Sequence, residues 1–148
     1  MWVRQGANWA QYNLNPNLPG YLTLVASGND ITSTLGGVLD WAYVPGGGEY
    51  LYAPGMNTTS GETYLTRWSP ATRQFETVLN YGTGPLAATG RTAGQVQFGA
   101  CYATRDGRLF IGENQGTVFE FRINRTNWSV AARSPASSSN DGARCVRL

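Results

Sequence analysis

One block of this sequence returns twice at nearly constant spacing, and an internal repeat restricts architecture before any single residue does. Asn13-Leu-Asn-Pro16-Asn-Leu-Pro-Gly-Tyr21-Leu-Thr-Leu-Val25 matches Arg67-Trp-Ser-Pro70-Ala-Thr-Arg-Gln-Phe75-Glu-Thr-Val-Leu79 at a shift of 54 residues. A third copy, Glu120-Phe-Arg-Ile-Asn-Arg-Thr-Asn-Trp128-Ser-Val, places Trp128 53 residues beyond Phe75. Each copy reads as a strand, a polar turn and a second strand opened by an aromatic residue. Ahead of two copies lies a further match, Tyr43 to Ala53 with Tyr102 to Gly112, at a shift of 59. Within it Asp106-Gly107 reads as a type I′ hairpin turn, with positive φ at both central residues. Gly46-Gly47-Gly48 meets the same demand, and Asn114-Gln-Gly116 predicts another turn. No stretch carries helical periodicity.

A unit of roughly 50 to 59 residues with four short strands is the pattern of a propeller blade. The expected fold class is therefore all-β, an incomplete β-propeller-like array of four-stranded antiparallel blades. Residues 1–28 read as the end of a blade, 38–82 and 96–132 as whole blades, and 140–148 as the first strand of a further one. Propellers close with about four to eight blades. This predicts a piece of a longer product, a head-to-tail dimer in which Gly142 to Arg147 completes the N-terminal half-blade, or an open stack. Of the three, the longer product is favoured, because open strand edges invite aggregation.

Composition narrows the chemistry. Glycine numbers 19, aromatic residues make up 12% and charged residues only 14%, a profile of strands and tight turns rather than of a disordered chain. The net charge is +2 and every positive side chain is an arginine. These arginines are scattered, without the basic stripe that nucleic acid requires. No apolar run is long enough to span a membrane as a helix. Met1 leads straight into Trp2-Val3-Arg4, with no signal peptide in view, as expected of a mature form or a fragment. Histidine and lysine are absent, which removes Ser-His-Asp and Cys-His catalysis, His-based metal sites, Schiff bases and P-loop chemistry. No cofactor and no metal is expected.

Carboxylates are left as candidate catalytic groups. Asp40 and Asp141 stand at matching blade entries, where a hydrolase would set paired acids and where an ordinary Asp caps its own turn. No residue is assigned as catalytic; Asp40, Asp141, Arg67, Trp9 and Tyr64 are the candidate ligand contacts, with a guanidinium for a glycan or carboxylate and rings for stacking. Trp68, Phe75, Phe121 and Trp128 keep the blade period and read as core. Cys101 and Cys145 lie in blade-opening strands at similar registers and suit one disulfide, or else two buried thiols. Asn57, Asn124 and Asn127 head Asn-x-Ser/Thr sequons, consistent with a secretory route and surface glycans.

Asp40-Trp-Ala-Tyr-Val-Pro, Phe98-Gly-Ala-Cys-Tyr-Ala, Gly107-Arg-Leu-Phe-Ile-Gly-Glu-Asn114, Gly116-Thr-Val-Phe-Glu-Phe and Asn140-Asp-Gly-Ala-Arg-Cys145 resemble a domain family of unknown function from secreted fungal proteins, with bacterial relatives. The resemblance covers residues 35 to 148. It implies a propeller-like repeat fold and an extracellular or cell-wall location, and it carries no catalytic residues. The expected function is a secreted, non-catalytic repeat module for adhesion, cell-wall association or glycan binding, with a glycan or cell-wall polymer as partner. The alternatives are a carbohydrate- or lactone-active hydrolase with Asp or Glu near the propeller axis, and a structural subunit that self-associates through open blade edges.

Overall fold

The computed structural model describes residues 1–5, 8–29, 35 and 38–137. The chain divides into two compact units, Met1–Thr32 and Ser33–Leu148. The first unit is a three-stranded antiparallel meander of β1 (Trp2–Gln5), β2 (Asn8–Tyr12) and β3 (Leu24–Asn29). The second holds two four-stranded antiparallel meanders. One runs β4 (Ala42–Tyr43), β5 (Leu51–Met56), β6 (Thr63–Ser69) and β7 (Gln74–Gly82). The other runs β8 (Phe98–Ala103), β9 (Arg108–Glu113), β10 (Thr117–Arg122) and β11 (Trp128–Arg133). The protein is all-β with almost no helix. The final strand expected at 140–148, with Asp141 and Cys145, lies outside the described residues.

The strands follow the side-chain pattern. β9 and β10 alternate strictly between buried and half-buried residues, the period of a sheet covered on one face. Every residue of β5 is buried, because this inner strand is covered on both faces, whereas β7 at the edge of the sheet is largely exposed. Between the two complete sheets lies the main core, in which Leu65, Leu109, Ile111, Phe119 and Phe121 are fully buried. Each such side chain contributes about 1.5–3 kcal/mol. Trp41, Trp68 and Phe75 cluster on the opposite face of the β4–β7 sheet.

The pairings fix the repeat by backbone geometry. In each sheet the last two strands carry a β-bulge at the same place, with Val25, Val78 and Ala131 as the extra residue. These positions are 53 residues apart both times (78 − 25 and 131 − 78). A bulge re-aims the strand that bears it and so counts as a designed feature. Trp68 pairs with Phe75 and Phe121 with Trp128, again 53 apart.

Three expectations are corrected. First, the inner hairpins do not align at 59. Leu51 faces Trp68 and Leu109 faces Phe121, a shift of 58 for β5 and β9. Tyr52 faces Ala42 and Phe110 faces Tyr102, a shift of 60 for β4 and β8. A one-residue slip moves a side chain to the other face, so Tyr52 is the counterpart of Phe110 and not of Ile111. Second, Asp106-Gly107 is not a type I′ turn. Gly107 alone has positive φ, +78°, and its N–H donates to the Thr104 carbonyl at 3.2 Å, a type I turn closed by a glycine bulge. Third, Tyr21 does not open a strand. It lies exposed in a turn, and the strand begins at Leu24.

A six-residue helix, α1 (Gly84–Thr89), and a 3-10 turn at Ala93–Gln95 join the two complete sheets. Pro85 starts α1 and Gly90, at φ +67°, stops it, the usual asymmetry of helix ends. One and a half turns are too few to leave a periodic pattern in the sequence.

Candidate functional site

The inner strands of the two complete sheets are tied side by side. Val38 and Phe98 form a parallel bridge. Two residues on, one Asp40 oxygen accepts the N–H of Trp41 at 2.8 Å and the other accepts the N–H of Cys101 at 2.7 Å. The capping role expected of an Asp at a strand entry is thus present, and a second bond crosses to the next sheet. Both oxygens are engaged, so Asp40 works as a staple. Cys101 is a buried free thiol, its Sγ 3.6 Å from the Tyr52 carbonyl that it donates to. Burial, and then the Asp40 charge, push this thiol well above its ordinary pKa.

The remaining sequence candidates do not converge. Trp9 is only 4% exposed, against Trp2 and under Gly28, so its ring is packed rather than offered for stacking. The Arg67 guanidinium lies 3.9 Å over the Tyr50 ring and pairs with Glu76 at 2.7 Å. Tyr64 donates to Glu62 at 2.7 Å, and Glu62 also accepts from Asn80 at 3.1 Å. Those bonds, Tyr64 first, hold the Glu62 carboxyl below its ordinary range. Arg67 faces Tyr52 and Tyr64 faces Gly55 across β5; three residues apart on one strand, they point to opposite faces. Asn57 sits in an exposed turn, its side-chain oxygen accepting the N–H groups of Thr59 and Ser60.

A polar cavity of about 310 Å³ opens at the turn between β10 and β11, lined by Glu120, Arg122, Arg125, Asn127, Trp128 and Ser129. The repeat brings these together: Glu120 and Ser129 are neighbours across the strand pair, and the turn swings Arg125 and Asn127 over them. Arg122 reaches Glu120 at 3.3 Å and Asp106 at 3.6 Å, and Arg108 reaches Asp106 at 2.9 Å. Thr104, and then Arg108, hold the Asp106 carboxyl below its ordinary range. Arg125 meets only the Asn124 side chain, at 3.5 Å, and makes no ion pair among the described residues. The acids are therefore neutralised and one guanidinium is left for a ligand. Trp128, paired with Phe121, turns its ring to the core side of the sheet, 6.1 Å from Phe119 and against Gly84.

Sequence reasoning singled out Asn124 and Asn127 in this turn but not Glu120, Arg122, Arg125 or Ser129. The available signal was three arginines, Arg108, Arg122 and Arg125, within one predicted hairpin pair. Among the described residues no group of three or more metal-ligating side chains occurs, and no helix is long and apolar enough to cross a membrane. A family described as a repeat of unknown function (DUF6923) matches residues 2–147. No curated protein matches the chain.

Proposed function

Since the chain belongs to this family of repeats of unknown function, DUF6923, we propose that it is a non-catalytic, propeller-like module of an extracellular protein that binds a saccharide bearing carboxylates. The two complete meanders act as neighbouring blades, a reading supported by their parallel inner strands and the Asp40 bond between them. The observation that carries the ligand class is Arg125. It stands over a polar cavity whose acids are already paired with other arginines, an environment suited to an anionic partner. Asn127 and Ser129 supply hydroxyl-binding groups beside it, the few convergent polar groups that fix a small ligand's orientation.

A glycan array tests this. Uronic-acid glycans are expected to bind without turnover, and Arg125→Ala to weaken them at least about tenfold, in line with a charged hydrogen bond. Neutral glycans binding equally, or an unaffected Arg125→Ala, would overturn the ligand class. Hydrolysis of a bound glycan that Asp40→Asn abolishes would replace the module with a hydrolase.

A further inference from the structure

Within the Ser33–Leu148 unit, four buried side-chain oxygens have no hydrogen-bond partner among the described residues: both carboxylate oxygens of Glu113, Oδ1 of Asn114 and Oγ1 of Thr63. The three residues are 1%, 6% and 0% exposed. Strand register places them at one end of the core. Glu113 shares the core-facing side of β9 with Leu109 and Ile111 and pairs with Phe98, which is bridged to Val38. Thr63 shares the core-facing side of β6 with Leu65 and pairs with Met56. Gly55, next to Met56, abuts the Val38 side chain. Glu113 and Thr63 therefore stand at the bridged end of two facing sheets. Leu86 of α1 lies against Gly61 and, with Ala93 and Val96, covers that end. Asn114 Nδ2 donates to Gln97 Oε1 at 3.3 Å, which leaves Oδ1 turned away from Gln97.

A buried carboxylate is ordinarily paired or bound to a metal ion, because its lost hydration is otherwise uncompensated. Glu113 makes no ion pair among the described residues. Arg133, beside it across Thr117, spends its guanidinium on Thr117 Oγ1 at 3.3 Å and the Ala88 carbonyl at 2.9 Å. We infer that Glu113, Asn114 and Thr63 hold a monovalent alkali cation inside the core. The donor set decides the class. All four atoms are hard oxygen donors, unsuited to the metals that thiolate and imidazole select. A single carboxylate balances one positive charge, so a monovalent ion leaves the interior neutral, whereas a divalent ion leaves a buried net charge. Ca²⁺ also takes about six to eight oxygens, and no trio of acidic, His or Cys side chains occurs among the described residues. This departs from the metal-free expectation drawn from residue types alone. The ion would tie β6 to β9, as the Asp40 carboxylate ties β8 to its own strand entry. It is independent of the saccharide reading, because Glu120 lies on the face of β10 turned away from this core.

Thermal unfolding in NaCl, KCl and choline chloride at equal ionic strength tests the inference with screening held constant. The wild-type chain is expected to melt about 3 °C or more higher in at least one alkali salt than in choline, once the cation exceeds its Kd tenfold. The rise should saturate as the salt is titrated in against choline. Glu113→Gln and Glu113→Met are expected to melt alike in all three salts, whereas Glu76→Gln, which alters an exposed carboxylate, keeps the full response. In choline, where the carboxylate lacks its counter-ion, Glu113→Met is expected to be more stable than wild type, and in the alkali salt that gain shrinks or reverses. Thr63→Val, close in shape and buried, keeps the fold while moving the titration midpoint to at least about threefold higher salt, as the loss of one oxygen ligand requires. Equal wild-type melting in all three salts overturns the inference. So does a rise that Glu113→Gln shares, the mark of a general salt effect, or a Thr63→Val titration that overlies wild type. Stabilisation by CaCl₂ but by neither alkali salt overturns the monovalent assignment.

Discussion

At Asp40 two carboxylate oxygens serve two sheets, one holding its own strand entry through Trp41 and the other the backbone of Cys101. Removing the side chain leaves the Cys101 N–H without its acceptor. Asp40→Ala is therefore expected to lower stability by about 1–3 kcal/mol, read from urea denaturation, and Asp40→Asn by less. Glu113 poses the opposite case. It is 1% exposed, and neither oxygen has a hydrogen-bond partner among the described residues. A buried acceptor in that state costs at least about 1 kcal/mol, so Glu113→Met is expected to raise the urea midpoint. A lower midpoint would mean that the carboxylate has a stabilising partner. At Cys101 the folded pKa lies above the unfolded value, so the folded state holds its proton longer. The thiol's contribution is complete below the unfolded pKa, about 8.5, and declines as pH rises from there toward the folded value. Cys101→Ala should flatten the loss of stability above that pH in a denaturation series.

Among the elements, the outer strand pairs were the legible part. Proline and aromatic positions marked them, and the bulges at Val25, Val78 and Ala131 confirm one common geometry. The inner hairpins misled by one residue because their connections differ in length. Seven residues lie between Tyr43 and Leu51 and five between Ala103 and Leu109, so matching Tyr43 to Tyr102 by side-chain type sets the strands on the wrong faces. Glu113 adjoins the Asn114–Gly116 turn, where a carboxylate is ordinarily solvated, but period-two burial along β9 carries it into the interior. The polar cavity escaped notice because its lining comes from two strands and a turn whose proximity only the pairing reveals. Burial also ranks the elements by expected opening. β5, covered on both faces, should show the slowest amide exchange, while β11, exposed along nearly its whole length, should show the fastest within its sheet. Equal protection of the two strands in a hydrogen-exchange experiment would contradict the two-sided covering of β5.

For the molecule as a whole, the low charge and the three sequons bring compartment and ligand into direct competition at one place. Asn127 heads a sequon and also lines the cavity beneath Arg125. An N-glycan there would be a covalent saccharide within reach of the site, at an effective concentration in the millimolar range, and would exclude a free ligand by bulk as well. Protein made in a bacterial host carries no such glycan. It is expected to bind acidic glycans, whereas protein secreted from a eukaryotic host and modified at Asn127 is expected to bind them at least tenfold more weakly. Enzymatic removal of the glycan should restore binding, and mass spectrometry of the peptide spanning Arg125 to Arg133 reports occupancy. Glycosylation at Asn57 belongs to a turn of the other complete sheet and should leave affinity unchanged. If occupancy at Asn127 is complete and affinity is nevertheless equal, the acidic ligand is bound elsewhere, and Arg67 over Tyr50, the equivalent rim on the β4–β7 sheet, becomes the residue to mutate.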